Sequence, residues 1–234
     1  MKRSEEAFGV THVGNYRIGV GKRLLHDVRA DEAIVLIDNL RASSTIVTAL
    51  SLGVEEIIPV TDNKRAFKLK KNGAVIAGES DGVKIDGYDI GNSPIELQDI
   101  FQKSPFKKLV LKTSNMTPLL VCLPGALICS SLNFESIVRY LKENDVYIIA
   151  VGGKNGAAED LGVAFALGAS LSGALFDKNL ITCFTRESSA AKHLEAIGYR
   201  KDIDFISRNS VFDVVPWYDG NKIVNVVREK IEND

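Results

Sequence analysis

Cysteine, long apolar runs and targeting segments are scarce in this sequence, and their scarcity excludes several classes of protein. The chain has three cysteines, Cys122, Cys129 and Cys183, in apolar surroundings and without a C-x-x-C pair. We therefore expect buried free thiols rather than disulfides, metal ligands or redox pairs. No apolar run is long enough to span a bilayer, and the first residues lead into no apolar signal core. These absences predict a cytoplasmic protein that does not associate with membranes.

An excess of charge of either sign is also missing. Lysine and arginine number 29 against 30 aspartates and glutamates, which leaves a formal net charge of -1. No overall field therefore draws the protein to nucleic acid, and a nucleic-acid partner is disfavoured. Any site for an anion must be local. The sequence leaves the quaternary state open, with a homodimer as a candidate.

Nucleotide-binding motifs are absent as well. The turn Gly152-Gly153-Lys154-Asn155-Gly156 matches neither the G-x-G-x-x-G dinucleotide fingerprint nor the lysine spacing of a Walker A motif. Nucleotide binding is therefore unsupported.

Predicted strands and helices alternate along most of the chain. Apolar runs with β-branched residues predict strands at 34–38, 56–60, 74–77, 108–113, 126–130 and 146–151. Apolar residues three and four positions apart predict helices at 42–52, 63–71, 93–102, 116–123, 133–143 and 158–175. This alternation is typical of a layered α/β/α fold with a mainly parallel sheet.

The two ends of the chain are less regular. Glycines between residues 11 and 25 suggest a hairpin added to the sheet, and the last third predicts a helix near 189–198 and strands at 212–217 and 222–227. No linker or repeat is evident. We expect one α/β unit over residues 1–234, with a possible, weakly marked division into compact lobes at about 1–115 and 116–234.

The segment after the strand at 34–38 places an acid, an arginine and several hydroxyls ahead of a helix. It has the sequence Ile37-Asp38-Asn39-Leu40-Arg41-Ala42-Ser43-Ser44-Thr45. The Asp38 carboxylate could hold a divalent cation, while Arg41 and the first N–H groups of the helix could bind an oxyanion such as phosphate. The simpler alternative is an Asx turn beside a surface arginine.

Two later clusters have the same mixture of acids and hydroxyls. The loop Gly78-Glu79-Ser80-Asp81-Gly82 could present oxygen ligands to a hard cation, although exposed loops often have such a composition. In Gly91-Asn92-Ser93-Pro94-Ile95-Glu96, the polar residues also suit a helix N-cap with capping-box spacing, so structure alone accounts for part of this cluster.

Two further clusters follow the strands at 108–113 and 146–151. Thr113-Ser114-Asn115-Met116-Thr117 offers hydroxyls, an amide and N–H groups as a cradle for phosphate or sulfonate, where a structural cap would need only one of them. The pair Glu159-Asp160 suits either the dipole of a helix N-terminus or a cation or proton-transfer site. Because ligands bind beyond the carboxyl ends of strands in such sheets, we expect the clusters to converge on one cleft, and the residues concerned are Asp38, Glu79, Asn92, Asn115 and Asp160.

Taken in order, these motifs resemble the 2-phosphosulfolactate phosphatase family. The motifs are Asp38-x-Leu40-Arg41-Ala42-Ser43-Ser44-Thr45, Gly78-Glu79, Gly91-Asn92-Ser93-Pro94-x-Glu96, Thr113-x-Asn115-x-Thr117, Leu132-Asn133 and Glu159-Asp160. The resemblance runs from residue 33 to Pro216. It implies a magnesium-dependent hydrolase of a phosphomonoester, acting on a small acid that bears phosphate and sulfonate in the coenzyme M branch of metabolism.

Four residues depart from the family pattern. Met116 stands where the family usually has glycine, and Asn39 replaces an apolar residue. Val163 and Phe165 stand where cysteine and glycine are expected. From these departures we expect a rebuilt loop at Met116 and a bulkier, altered pocket.

Covalent phosphoenzyme routes are disfavoured. No D-x-D run follows the first strand, no cysteine has an arginine six residues later, and none of His12, His26 and His193 has a catalytic-looking setting. Attack by water, assisted by a Mg²⁺ ion that carboxylates hold, remains.

On this interpretation each predicted site residue has a role. The catalytic residues are Asp38, Arg41, Glu79 and Asp160. The metal ligands or general bases are Asp38, Glu79 and Asp160. Arg41 pairs with the phosphate of a small anionic metabolite, and the remaining binding residues are Ser44, Thr45, Asn92, Ser93, Thr113, Asn115, Thr117 and Lys154. Lys154 would neutralise a second acidic group on the substrate, with a flexible surface lysine as the alternative.

The sequence leaves two other functions open. One is a binding protein of the same fold that senses an anionic metabolite without turning it over, which the departures at Met116 and Val163 would suit. The other is a metal-dependent lyase acting on a 2-hydroxy or 2-keto acid. Metal-dependent release of phosphate from an ester would separate the phosphatase from both.

Overall fold

The structure is a computed structural model that describes residues 15–21, 28–142, 144–154 and 156–226. Its strands are β1 Tyr16–Val20, β2 Ala33–Ile37, β3 Glu56–Pro59, β4 Val75–Ser80, β5 Val83–Lys84, β6 Lys108–Lys112, β7 Leu127–Cys129, β8 Val146–Ala150, β9 Pro216–Tyr218 and β10 Ile223–Asn225. Its α-helices are α1 Ala42–Leu52, α2 Asn63–Lys71, α3 Pro94–Lys103, α4 Met116–Leu120, α5 Phe134–Leu141, α6 Ala158–Leu171, α7 Asn179–Glu187, α8 Ser189–Ala196 and α9 Arg200–Ile206.

The strands form one sheet in the order β1-β8-β2-β7-β9-β10-β3-β6-β4-β5. Strands β1, β8, β2 and β7 pair in parallel, as do β3, β6 and β4. The antiparallel hairpin β9-β10 joins these two parallel blocks through antiparallel pairings to β7 and β3. The predicted layered α/β fold with a mainly parallel sheet is therefore confirmed.

Helices cover both faces of the sheet, because successive apolar residues of its central strands point to opposite sides. In β2, Leu36 packs into one core with helices α1, α3 and α4, whereas Val35 and Ile37 pack into a second core with α5, α6 and α7. Helix α2 packs on a smaller cluster that includes Ile76 and Val110. A strand buried on both faces explains why β2 is a continuous apolar run.

The two parallel blocks run in opposite senses along the sheet, since three successive antiparallel pairings separate β7 from β3. Six steps separate β2 from β4. Strand twist of about 20–25° per step accumulates to about 120–150° over that distance, which is large enough to turn the two sets of carboxyl ends toward a common cleft.

Local sequence rules account for the helix boundaries. Helix α1 ends at Gly53, whose φ of 105° is the left-handed conformation that glycine adopts readily. Helix α3 has Pro94 in its first turn, and the Ser93 hydroxyl accepts a hydrogen bond from the Glu96 N–H. Helices α1 and α2 have the predicted bounds.

Some predictions require correction. Helices α7 and α9 were not predicted from the sequence, and β1 pairs in parallel with β8 rather than in a hairpin, while the rest of the predicted hairpin falls largely outside the described residues. Of the cysteines, all free, Cys129 is buried but Cys122 and Cys183 are exposed. Strands β1 and β2 belong to the same sheet block as β7 and β8, so one sheet runs through both predicted lobes. The division into lobes stays a prediction.

Within the part of the chain that the structure describes, no helix combines the length and the apolar character needed to cross a bilayer.

Candidate active site

A cavity of about 140 Å³ opens where the carboxyl ends of β2, β4, β6 and β8 meet. That volume accommodates a ligand of several non-hydrogen atoms rather than a single water. Seven of the residues predicted from the sequence line it, namely Asp38, Arg41, Glu79, Asn92, Asn115, Lys154 and Asp160. The structure therefore brings together side chains that are scattered over more than half of the chain.

Five predicted binding residues, Ser44, Thr45, Ser93, Thr113 and Thr117, are buried and do not line this cavity. The Ser44 hydroxyl donates to the Asn39 carbonyl. The Thr113 hydroxyl accepts from the Thr117 N–H, and the Thr117 hydroxyl accepts from the Thr113 N–H.

The other two of these five are also committed to the fold. The Ser93 hydroxyl donates to Asp202, and the Thr45 hydroxyl is fully buried with no hydrogen-bond partner among the described residues. The structure thus gives all five residues places inside the fold, away from the cavity, which corrects the expectation that they form an anion cradle.

Asp38 lies directly after β2 and is buried. Together with Glu159 and Asp160 it forms the floor of the cavity. Its Oδ1 accepts the Ala42 N–H at 3.2 Å, which fixes the carboxylate against the start of α1. The pKa of Asp38 is raised to about 7, chiefly by burial; the carboxylates of Glu79 and Glu159 also raise it, while that hydrogen bond and the charge of Arg41 lower it. Asp38 is therefore an acid without a dedicated cationic partner.

Asp160 joins two strand ends across the floor. Its Oδ1 accepts the Asn39 N–H at 2.7 Å, and its Oδ2 accepts the Gly152 N–H at 2.8 Å. Burial raises the pKa of Asp160 well above its ordinary value, and the negative charges of Glu159 and Asp38 add to the effect. The two hydrogen bonds orient the carboxylate without neutralising it.

Glu159 is a cavity residue that the sequence-based assignment left out in favour of its neighbour. Its side chain is only 4 % exposed, and its Oε2 has no hydrogen-bond partner among the described residues. Burial is the main cause of its raised pKa. The Oδ1 atom of Asn92, at 3 % exposure, is likewise buried and without such a partner. Two oxygen acceptors therefore lie buried at this cavity in need of a donor or a cation.

Glu79 has a different setting, because backbone groups occupy its carboxylate. Its Oε1 accepts the Ser114 N–H at 2.6 Å, and its Oε2 accepts the Gly82 N–H at 2.7 Å and the Ser114 hydroxyl at 3.2 Å. Glu79 thereby ties the β4-β5 turn to the loop after β6. Ser114 also lines the cavity, although nothing in the sequence distinguishes it from the neighbouring hydroxyl residues.

Arg41 lies on the cavity wall with its guanidinium held from three directions. Its Nη1 pairs with Asp202 Oδ2 at 2.7 Å, its Nη2 donates to the Gly82 carbonyl at 2.6 Å, and its Cζ lies 3.9 Å from the centre of the Tyr199 ring. The pair with Asp202 is buried, with both side chains 1 % exposed. Arg41 therefore fixes the wall, and only its remaining N–H groups are available to a phosphate.

The mouth of the cavity carries residues that sequence reasoning missed or set aside. Lys154 Nζ pairs with Asp81 Oδ1 at 2.9 Å, and both side chains are exposed. His193 of α8 lies 3.2 Å from the Asp81 carbonyl through its Nε2, which must donate because a carbonyl only accepts. The sequence indicated no role for His193, and only the fold of α8 places it at the cavity.

Gly153 allows the Asn115 amide to approach the glycine-rich turn. A Cβ atom at this position would lie 2.7 Å from Asn115 Nδ2, which is closer than real Cβ contacts. The turn itself is closed by two hydrogen bonds between Gly153 and Gly156. Any larger residue at position 153 would displace the Asn115 side chain.

The family departures lie outside the cavity wall. Met116 begins α4 in helical conformation and packs in one hydrophobic core, while Val163 packs in the other. Phe165 is half exposed on α6. The expected bulkier pocket is therefore wrong for these three positions. Asn39 influences the cavity indirectly, because its N–H donates to the cavity residue Asp160. Its side-chain amide contacts Thr185 and Ser131.

The donor set at the floor suits a hard cation, because it consists of carboxylate and amide oxygens. Crowded, buried carboxylates and two acceptors without partners are features that a divalent ion would satisfy. Within the described ranges, however, no three side chains of aspartate, glutamate, histidine or cysteine form a ready group around one point. The chemistry of the residues fits Mg²⁺, while the assembled coordination sphere is not preformed.

Comparisons with known proteins are consistent with the residues found in this cavity. A sequence model of the family described as 2-phosphosulpholactate phosphatase matches residues 21–221. A protein of Thermotoga petrophila named probable 2-phosphosulfolactate phosphatase is 36% identical over 199 residues, covering 78% of this chain and 87% of that protein. Proteins with the same name from Carboxydothermus hydrogenoformans and Clostridium botulinum are 34% identical over 208 residues and 29% identical over 226 residues. These alignments cover 80% and 86% of this chain, and 86% and 94% of the respective relatives.

Proposed function

The chain belongs to the 2-phosphosulfolactate phosphatase family, and on that premise we propose that it hydrolyses the phosphomonoester of a small acidic metabolite such as 2-phosphosulfolactate. The products would be sulfolactate and inorganic phosphate. The Mg²⁺ requirement, the sulfonate-bearing substrate and a place in coenzyme M biosynthesis are parts of this proposal, and so are a cytoplasmic location and a homodimer.

One observation carries the proposal, namely the group of buried acids at the cavity floor. Burial raises the pKa of Asp38, Glu159 and Asp160, and the Glu159 carboxylate raises the pKa of both aspartates further. Such a group is costly to bury without a cation, so its presence in a cleft indicates a function rather than a contribution to stability. A doubly charged phosphate could not enter beside these acids unless a positive ion compensated them.

The residues of the floor have separate tasks in this proposal. Asp38 and Asp160 would hold the Mg²⁺, with Glu79 as the third predicted ligand. When bound, the ion supplies charge neutralisation on the phosphate oxygens and a position for the attacking water. The backbone N–H groups of Asn39 and Gly152 orient the Asp160 carboxylate at the floor.

Neutral and cationic groups around the floor would position the ester. The side-chain amides of Asn92 and Asn115 line the cavity. Their NH₂ groups can donate hydrogen bonds to phosphate oxygens when the amides are turned with nitrogen toward the ligand. Arg41 can offer its remaining N–H groups to the developing charge.

The direct test is phosphate release from 2-phosphosulfolactate by the purified protein. We expect turnover with Mg²⁺ that stops on chelation and returns when Mg²⁺ is restored. Asp160→Asn should remove turnover, whereas Asp213→Asn, at an exposed residue paired with Arg139, should not. Absence of phosphate release from this ester and from simpler phosphomonoesters would favour the anion-binding protein instead.

A further inference from the structure

We propose that Asn39 is a positioning residue for the cavity floor, because its buried side-chain amide fixes the backbone N–H group that holds the Asp160 carboxylate. The hydroxyl of Thr185, in helix α7 and outside the cavity, supports that amide. This inference rests on the proposed function in one respect, since it takes Asp160 to be a ligand of Mg²⁺. It adds that the affinity for the metal depends on a hydrogen bond that touches neither metal nor substrate.

The connection between β2 and α1 carries charged groups of both the floor and the wall. Asp38 belongs to the floor and Arg41 to the wall, yet residues 38–41 are neither strand nor helix. Without a regular pattern of backbone hydrogen bonds, the geometry of this connection depends on side chains that bind it to the rest of the fold.

Asn39 is fully buried, and its backbone and side chain are held at four points. Its N–H donates to Asp160 Oδ1 at 2.7 Å, and its carbonyl accepts the Ser44 hydroxyl at 2.8 Å. Its Nδ2 donates to Thr185 Oγ1 at 3.0 Å, and its Oδ1 accepts the Ser131 N–H at 2.9 Å. Because the side chain is bound at both ends of its amide, the direction of the backbone N–H is fixed as well.

Ser131 holds the oxygen side of the amide. It begins the 3₁₀ turn Ser131–Asn133 after β7, and its hydroxyl donates to the Ile206 carbonyl at the end of α9. A backbone N–H can only donate, so the atom that faces it is Oδ1 of Asn39 and the amide nitrogen points to α7. The orientation of the amide is therefore determined by its surroundings.

Helix α7 holds the nitrogen side of the amide and also contacts the helix that carries Asp160. Thr185 accepts from Asn39, and it is itself fully buried. The preceding residue, Phe184, packs on Gly162 of α6, where an added Cβ would lie 2.5 Å from the Phe184 Cβ. Gly162 follows Asp160 by two positions. One helix thus holds both the donor and the acceptor of the hydrogen bond at the floor.

This hydrogen bond is one of two that orient Asp160, and the Gly152 N–H supplies the other. If the Asn39 N–H turned away, Oδ1 of Asp160 would lose its donor and the carboxylate could rotate. Loss of a group that orients a metal ligand typically weakens metal binding about tenfold to 100-fold. Thr185 acts through Asn39, so we expect its loss to have an effect at the lower end of this range.

The test titrates Mg²⁺ into the full chain and follows its heat of binding in three variants of α7. Thr185→Val keeps the size of the side chain but removes the hydroxyl, so the dissociation constant for Mg²⁺ should rise about tenfold. Thr185→Ser loses the methyl group but keeps the hydroxyl, so it should bind Mg²⁺ like the wild-type protein. Thr182→Val is the matched control, because the hydroxyl that it removes donates to the Ser207 carbonyl instead.

The contrast between the first two variants separates positioning from packing. If Thr185 only filled space in the core, Thr185→Ser would be the more damaging change, since it leaves a small void where valine does not. If the hydroxyl positions the floor, the order is reversed. Melting temperatures of the metal-free variants report the packing effect separately from the affinity for Mg²⁺.

A double variant tests whether the hydroxyl acts through the amide. Asn39→Leu removes the amide, and the dissociation constant for Mg²⁺ should rise by about tenfold or more. Adding Thr185→Val to Asn39→Leu should cause no further loss, because the hydroxyl no longer has the amide as a partner. Losses that multiply in the double variant would contradict the proposed connection. If Asn39→Leu does not fold, the Thr185 variants decide the test by themselves.

The outcomes separate this inference from the proposed function. Weaker Mg²⁺ binding in Thr185→Val, with wild-type binding in Thr185→Ser and Thr182→Val, supports the positioning role even if no ester is hydrolysed, in which case only the phosphatase proposal fails. Unchanged affinity in Thr185→Val, an equal loss in either of the other variants, or absence of Mg²⁺ binding by the wild-type protein overturns the inference. Phosphate release then decides the proposed function independently.

Discussion

The acids at the floor of the cavity and the ion pair in its wall differ in how their buried charges are compensated. At the floor, Asp38 and Asp160 are acids whose pKa values are raised first by burial and then by neighbouring carboxylates, among which Glu159 acts on both. In the wall, Arg41 and Asp202 are equally buried but neutralise each other; the Gly82 carbonyl accepts a further hydrogen bond from Arg41, and the Ser93 hydroxyl donates one to Asp202. Burying the uncompensated acids of the floor costs stability, whereas the charges in the wall compensate each other, which indicates that the floor serves chemistry and the wall serves position.

The largest effect, on the free energy of unfolding, should come from removing one charge of the buried Arg41–Asp202 pair in the wall. Asp202→Asn would leave the Arg41 guanidinium buried without its counter-charge, and we expect a loss of about 3–5 kcal/mol in the free energy of unfolding. Denaturant titration measures it. Asp204→Asn, on the same helix but in an exposed pair with Arg186, should cost no more than about 1 kcal/mol. Equal losses in the two variants would remove the contrast between buried and exposed pairs.

The floor should respond to pH in the metal-free protein. Between the ordinary pKa of an aspartate, near 4, and the raised pKa of Asp38, about 7, the folded protein binds more protons than the unfolded chain. Stability should therefore fall as pH rises through this window, by on the order of 2–4 kcal/mol. Melting temperatures in chelator at pH 5 and pH 8 measure the slope.

Asp38→Asn is the matching variant for this slope, since an amide can still accept from Ala42 but does not ionise. It should flatten the pH dependence and raise stability at pH 8 while it removes activity. A variant that is less stable than the wild-type protein at pH 8 would show that the floor is not under charge repulsion.

A bound divalent metal ion should compensate the negative charge of the floor, as Arg41 and Asp202 already compensate each other in the wall. Mg²⁺ at about a hundredfold excess over its dissociation constant would stabilise the folded protein by about 2.7 kcal/mol, seen as a higher melting temperature. Asp160→Asn should lose this response, whereas Asp213→Asn should keep it. Zinc should substitute poorly, because oxygens dominate the floor. Calorimetry that detects no Mg²⁺ binding, with or without phosphate, would contradict the metal site.

The smallest effect should come from the contact between the glycine-rich turn and Asn115. Gly153→Ala places a Cβ atom against Asn115 Nδ2, so it should displace one hydrogen-bonding group and lower kcat/KM roughly threefold to tenfold. Gly156→Ala is the control, because it strains a φ of 97° but meets no atom within 4 Å. A larger kinetic loss in Gly156→Ala would assign the effect to the backbone of the turn.

The sequence by itself determined the elements and the strand ends that carry the site. Helix α1 has its predicted bounds because apolar periodicity and a C-terminal glycine act within a few residues. Asp38, Glu79 and Asp160 could be selected because each belongs to a polar cluster that follows a strand predicted from the sequence. The order of these motifs also sufficed to indicate the family.

Tertiary structure alone decided which polar groups face the cavity and which form hydrogen bonds within the fold. Thr113 and Thr117 satisfy each other, whereas Glu159, one position from a predicted residue, keeps an oxygen without a partner. Arg41 meets Asp202 across 161 positions of sequence. Local spacing fixes the direction in which a side chain leaves its helix or strand, but the group it meets there depends on how distant elements pack, and that meeting sets both its hydrogen bonds and its charge.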